Sequence, residues 1–207
     1  MVDPMSNEDS LAVNHHADHP GFAGVTGSLF AAAFLLTGRA NARLAAELTH
    51  ISPEDHVVDI GCGPGNAVRR AARRGARATG VDPSRSMLRI ARISTRDPRV
   101  QWAQGGAETL PVPDGSATIV WALATVHHWR DAPEGLAEIH RALSPGGRLL
   151  AVERQCEPGA TGFASHGWTA EQAESFAALC RCAGLVDVTV ASKKSSRPVW
   201  VVAGIRP

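Results

Sequence analysis

From about residue 50 onward, short apolar runs alternate with longer stretches that carry apolar residues on one helical face. Val57-Val58-Asp59-Ile60 is one such run, and Gly80-Val81-Asp82 closes another. The pattern predicts strands near 56–60, 77–81, 99–103, 117–123 and 147–153, and helices near 65–74, 84–94, 133–142 and 169–182. Asp131 is placed to cap the third of these helices, and Thr169 with Gln172 forms a capping box for the last. Two alternating runs, residues 186–190 and 198–204, flank the polar Lys193-Lys194-Ser195-Ser196 and predict a closing hairpin. Upstream, Ser28 to Leu36 and Arg39 to His50 read as two short helices, the second with Leu44, Leu48 and Ile51 on one face. Ser52-Pro53-Glu54-Asp55 is a turn between that helix and the first strand.

Strands that alternate with amphipathic helices imply a mostly parallel sheet covered on both faces, which the terminal hairpin makes mixed. No internal repeat or second domain is visible. The expected organisation is a flexible tail over residues 1–20 and one domain over 21–207. Within it lie N-terminal cap helices (21–51), a central core (56–155) and a C-terminal helix with hairpin (169–207).

The chemistry concentrates where the first strand ends, in Gly61-Cys62-Gly63-Pro64-Gly65-Asn66. Glycine there lets a ligand approach bare backbone, and Pro64 lowers the entropy lost on ordering the loop. Asp82, about twenty residues on, stands at the tip of the next strand, where a carboxylate accepts from ribose hydroxyls. Asn66 replaces the third glycine of a dinucleotide fingerprint, and no Lys-Ser/Thr pair follows, which excludes a P-loop. Asp59 just before the loop suits a positively charged amino group better than a pyrophosphate.

Five segments, in order and spacing over about residues 50–155, resemble the class I S-adenosylmethionine-dependent methyltransferases, specifically the small-molecule branch related to ubiquinone and menaquinone biosynthesis. They are Val57 to Asn66, Val81 to Leu88, Gly105-Gly106-Ala107-Glu108-Thr109-Leu110-Pro111, Ala117 to Trp129, and Ser144-Pro145-Gly146-Gly147-Arg148-Leu149-Leu150. The resemblance implies a Rossmann-like, doubly wound sheet of seven strands with the last one antiparallel. It implies S-adenosylmethionine as cofactor, S-adenosylhomocysteine as product, and a small-molecule or lipid-like acceptor. Backbone from Gly61 through Cys62 and Gly63 to Gly65 then passes the methionine moiety, with Asp59 at its ammonium group. Asp82 accepts from the ribose hydroxyls, and Pro83, Met87, Gly106, Ala107, Glu108 and Ala122 complete the cofactor contacts.

Each assignment has a plainer counterpart. The plainer role of Asp82 is to cap the helix that starts near Ser84, but the glycine loop at the right distance before it favours ribose; Met87 is equally suited to fill the core. Gly106 stands where the family often reads adenine with an aspartate, which leaves the Ala107 backbone or Glu108 for the base edge, unless Glu108 is a solvated loop acid. Thr118 stands in place of a fourth-strand aspartate. His127 and His128, in Thr125-Val126-His127-His128-Trp129, are candidate general bases at the strand edge where the methyl group points, their ordinary pKa lying near working pH. The plainer reading gives one a loop hydrogen bond and the other to solvent. Trp129, Trp168, Phe22, Phe30 and Phe34 are candidate pocket walls or core residues.

Composition narrows the partners. The 207 residues carry a net charge of +1, so no broad field invites nucleic acid or an anionic membrane. Arg69, Arg70, Arg73 and Arg74 fall on one helix and read as its solvated face. The apolar stretch at Leu29 to Leu36 is too short to span a bilayer. Four irregularly spaced cysteines suggest reduced thiols and a cytoplasmic setting, without a metal spacing. His15, His16 and His19 read as part of the flexible tail. Self-association into a homodimer is left open. A nicotinamide oxidoreductase is disfavoured by Asn66 and by the absence of tyrosine, hence of any Tyr-x-x-x-Lys pair; nucleic-acid methylation lacks an Asn-Pro-Pro-Tyr-like motif. A non-catalytic cofactor binder stays open, because methyl transfer requires no obligatory catalytic residue.

Overall fold

A computed structural model of the chain describes residues 13–14 and 38–207, apart from the side chain of Phe163. The helix read at Ser28 to Leu36, Phe22, Phe30, Phe34 and the three tail histidines lie outside the described residues. Helix α1 (38–48) leads into β1 (His56–Ile60), α2 (Asn66–Arg73), β2 (Arg77–Asp82), α3 (Arg85–Ile93) and β3 (Val100–Gln104). Then follow β4 (Ala117–Leu123), a 3-10 turn at Val126–His128, α4 (Ala132–Ala142) and β5 (Leu143–Arg154). A second 3-10 turn (Gly162–Ser165), α5 (Ala170–Cys182), β6 (Val186–Lys194) and β7 (Pro198–Ile205) complete the chain.

The seven strands form one sheet in the order β3-β2-β1-β4-β5-β7-β6. The first five are mutually parallel, and β7 runs antiparallel to both β5 and β6. The two-residue period of the strands sorts their side chains onto two faces. Val58, Val120 and Ala122 join Leu136 of α4 and Phe176 of α5 on one. Val57, Ile119 and Trp121 join Ala45 of α1 and Val68 of α2 on the other. Because β2 lies on one side of β1 and β4 on the other, the crevice between β1 and β4 opens at the carboxyl ends of the strands, where ligands of such sheets bind.

The caps form as the sequence predicts. Asp131 accepts from the Glu134 N–H at 2.8 Å, and Thr169 and Gln172 make the reciprocal capping box, a device worth about 1 kcal/mol. The closing hairpin is longer than read: Lys193 and Lys194 pair with Val199 and Pro198, so the turn narrows to 195–197. Strand β5 starts at Leu143, four residues earlier than read, through a bulge opposite β4 between Ala117 and Ile119. Thr118 works at the far end of the sheet, donating to Asp55 Oδ1 at 2.7 Å and accepting from the His56 N–H at 3.0 Å.

Two residues of the expected tail lie against the domain. Val13 is buried in the α4–α5 core, its carbonyl accepting from Trp168 Nε1–H at 2.9 Å. Asn14 donates to the carbonyls of Trp129 and Arg130. Among the described residues no helix is long and apolar enough to cross a membrane.

Candidate functional site

The strand β1 continues into a loop whose three glycines sit at φ +67°, +51° and +85° for Gly61, Gly63 and Gly65. At Gly61 the demand is doubled. The left-handed backbone disfavours any side chain, and a Cβ there would lie 2.1 Å from Thr125 Oγ1. Among the described residues, a Cβ on Gly63 would meet no atom within 4 Å. The loop is tied down at both ends: the Cys62 N–H donates to the Val81 carbonyl at 3.0 Å, and the Gly65 N–H to the Cys62 carbonyl at 2.9 Å.

Asp82, at the end of β2, is the clasp. Its Oδ2 accepts from the Gly63 N–H and its Oδ1 from the Ser84 N–H, each at 2.8 Å. The cap of α3 is supplied by Ser84, whose side chain accepts from the Met87 N–H, so Asp82 is not spent as that cap. Each Asp82 oxygen keeps a second lone pair. Burial raises the Asp82 pKa, while the Ser84 and Gly63 N–H groups oppose the rise.

Asp59 is 3 % exposed, and among the described residues no donor reaches its carboxylate. Burial, with Asp82 beside it, raises its pKa to about 8. Burial and these two acids also push the Cys62 thiol well above its ordinary value, which keeps it protonated and unreactive. Among the described residues, the loop thus combines uncovered backbone at Gly63 with a carboxyl group that no cation meets.

Beyond β3, Gly106 bridges to Thr109, and Ala107 is 3 % exposed. Glu108 is not a solvated acid: its Oε1 accepts from the Arg130 N–H at 2.7 Å and the Asp131 N–H at 3.3 Å. A Cβ on Gly106 would stand 2.8 Å from Glu108 Oε2, so the Glu108 carboxylate fills the space that a side chain at 106 would enter. Met87 is buried and Pro83 exposed. Ala122 has no accessible surface; the exposed residue at that strand end is Ala124, at φ +57°. Trp129 and Trp168 are buried and pack on Phe176, so they belong to the core and not to an open wall.

The turn after β4 carries the two sequence-marked histidines, and β5 brings a residue to which the sequence assigns no role of its own. Glu153 is wholly buried at the end of β5. Its Oε1 accepts from the Val126 N–H at 2.8 Å and its Oε2 from His127 Nδ1–H at 2.9 Å. A carboxylate can only accept, so His127 donates from Nδ1 and its Nε2 is turned away from Glu153. His127 is 3 % exposed, and its ring centroid lies 4.1 Å from that of His128 and 5.4 Å from that of His166. The sole sequence signal for Glu153 was an acid closing the apolar run Leu149-Leu150-Ala151-Val152. His166 gave none.

Supporting contacts were likewise invisible in the sequence. A Cβ on Gly65 would lie 2.3 Å from the Trp102 ring, which therefore packs directly on the loop. Arg69 is not on a solvated face: it donates to the Pro64 carbonyl at 2.7 Å and to Asn66 Oδ1 at 2.9 Å. Arg73 and Arg74 are exposed as read.

The Methyltransferase domain family matches residues 58–151 of the chain. Over 138 residues the chain is 33 % identical to malonyl-[acyl-carrier protein] O-methyltransferase of Serratia marcescens, covering 67 % of this chain and 52 % of the relative. It is 35 % identical to demethylmenaquinone methyltransferase of Symbiobacterium thermophilum, over 51 % of this chain and 45 % of that one. The chain therefore spans about half the length of these curated relatives. In fold it matches an S-adenosylmethionine-dependent methyltransferase from Mesorhizobium loti with a TM-score of 0.68 at 21 % identity, covering 83 % of this chain and all of the other.

Proposed function

The chain belongs to the S-adenosylmethionine-dependent methyltransferase family, and from that premise we propose that it methylates a small-molecule or lipid-like acceptor, releasing S-adenosylhomocysteine. The observation that carries this reading is the pairing of an open main-chain strip at Gly63 with the buried Asp59 carboxyl, for which no described residue supplies a donor. An ammonium group supplies both the missing charge and the missing hydrogen bonds. Backbone from Gly61 to Gly65, Cys62 included, then borders the methionine moiety.

Asp82 accepts from the ribose hydroxyls with the lone pairs left after it has clasped the loop. Pro83, Met87, Gly106 and Ala107 border the adenine, and Glu108 Oε2 is the acid nearest the place of the absent aspartate. When bound, the cofactor supplies a methyl group already activated by its sulfonium. The chain's own residues align the acceptor for in-line displacement, exclude water, and deal with the acceptor's proton. His127 suits that last task because Glu153 fixes its tautomer and its orientation, the logic of a base held by a third group. His128 lines the same side. The demethylmenaquinone methyltransferase among the relatives supports a lipid-like acceptor, and the malonyl-[acyl-carrier protein] O-methyltransferase a small acyl group on a carrier.

Calorimetry with S-adenosylhomocysteine, repeated on Asp82→Ala, tests the cofactor assignment. Two charge-assisted bonds at about 1.5–3 kcal/mol each imply an affinity loss of at least about 100-fold. Unchanged affinity in the variant removes Asp82 from the site. Acceptor-dependent formation of S-adenosylhomocysteine separates an enzyme from a cofactor-binding protein without turnover.

A further inference from the structure

Three imidazoles from two separate loops meet at the carboxyl end of β4 and β5. His127 and His128 come from the 3-10 turn after β4, and His166 from the loop that leads from β5 to α5. A ligating atom from each lies within 4.8 Å of those of the other two. Among the described residues no other three histidine, cysteine or acidic side chains converge in this way. None of the ring pairs is stacked face to face: their planes meet at 44°, 90° and 57°. Nitrogens on one tetrahedral zinc ion, bonded at about 2.0–2.1 Å, stand about 3.3 Å apart, so small ring rotations complete the set.

A second observation points the same way. Glu153, with no accessible surface, holds His127 by Nδ1 at 2.9 Å and thereby aims Nε2 away from itself. A carboxylate behind an imidazole is the arrangement that orients a metal-bound histidine and raises its basicity. Glu153 also grips the Val126 N–H, so the turn bearing two of the three rings is fixed before any ligand arrives. Neutral imidazoles favour borderline transition metals over magnesium or calcium, which require oxygen ligands. Three protein ligands leave a position for water or for an oxygen atom of an acceptor.

We propose that His127, His128 and His166 bind one divalent transition-metal ion, with Glu153 as the residue that positions His127. The site stands apart from the methyl-transfer reading, since ion binding requires no cofactor. The Nε2 lone pair cannot hold an ion and a proton together. In the loaded protein His127 is a ligand, and its action as a base belongs to the metal-free protein.

The untagged chain of residues 1–207 is titrated with Zn²⁺ against a chromophoric chelator, and with Co²⁺ followed by its visible d–d absorption. The expected result is one ion per chain at micromolar or tighter affinity. His128→Ala and His166→Ala, read independently, each weaken it by at least tenfold, and Glu153→Gln weakens it by about 10–100-fold. Removing His15, His16 and His19 together leaves the affinity unchanged, and S-adenosylhomocysteine binding by His166→Ala reports an intact fold. The proposal is overturned by absence of zinc uptake at submillimolar concentrations, by unchanged affinity in His166→Ala, or by its loss in the tail variant.

Discussion

The crevice at the carboxyl edge of the sheet has two walls built by opposite means. On the β1–β2 side the surface is main chain, with three glycines in left-handed conformation and two carboxyl groups around a strip of exposed amide. On the β4–β5 side it is side chain, with His127, His128 and His166 gathered over Glu153. Backbone can be presented only by consecutive residues, so the first wall is written in one short motif. Side chains can be delivered from any strand end, so the second draws on residues as far apart as 127 and 166. The first wall suits a ligand whose shape is fixed; the second suits whatever changes from one acceptor to the next.

Four perturbations test this division, beginning with the largest. His127→Ala should slow methyl transfer by about 10²–10⁴-fold while leaving S-adenosylhomocysteine affinity within a few-fold. Single-turnover rates with calorimetry read the two quantities separately, and a parallel loss of cofactor affinity would merge the walls into one site.

Gly61→Ala attacks the other wall. A left-handed alanine costs about 1–2 kcal/mol, and a Cβ placed 2.1 Å from Thr125 Oγ1 adds a clash of about the same size. Denaturant unfolding should show the sum. Thr125→Ala in the same chain removes the Oγ1 contact but keeps the Thr125 Cβ at 2.8 Å, so it should restore only part of the steric loss and leave the backbone part.

The third perturbation is pH. In the folded chain Asp59 titrates at about 8, while in the unfolded chain it titrates near its ordinary value of about 3.9. Between those values the folded state holds a proton that the unfolded state has released. Asp59 therefore makes stability fall as pH rises through that window. A bound ammonium reverses the preference by favouring the charged carboxylate. Affinity for S-adenosylhomocysteine should accordingly rise between pH 6 and pH 8, by at most roughly tenfold per unit for one proton. Asp59→Asn should flatten both the melting-temperature and the affinity profiles; a steep affinity profile that survives in the variant assigns the proton elsewhere.

The smallest effect is expected at Glu108→Gln. The amide keeps an acceptor for the Arg130 and Asp131 N–H groups, so cofactor affinity should fall by less than tenfold, consistent with adenine held mainly by main chain. A loss near that of Asp82→Ala would make Glu108 a principal adenine contact.

Legibility in the sequence followed the same division. The alternation of apolar runs and amphipathic stretches located the helices and strands of the core to within a few residues. The exceptions were ends set by pairing, such as the early start of β5 opposite the bulge at Ala117 and Ile119. Gly61, Gly63, Gly65 and Asp82 stood out because turn chemistry and strand ends leave local marks. Ala122 shows the limit of that reasoning: it is expected as a cofactor contact, but the core closes over it and Ala124 is the exposed position. Arg69 looked like one of four solvated arginines until the loop it supports folded beneath it.

The sequence by itself determined the order of strands and helices, the glycine loop, and the acid that follows it, because each depends on residues within a few positions of one another. Only the tertiary structure decided that Glu153 stands behind His127, that His166 joins it, and that Asp59 is buried without a partner among the described residues. Those facts depend on which strand ends become neighbours when β4 inserts between β1 and β5. The desolvation and proximity that follow act through space, and no spacing along the chain encodes them.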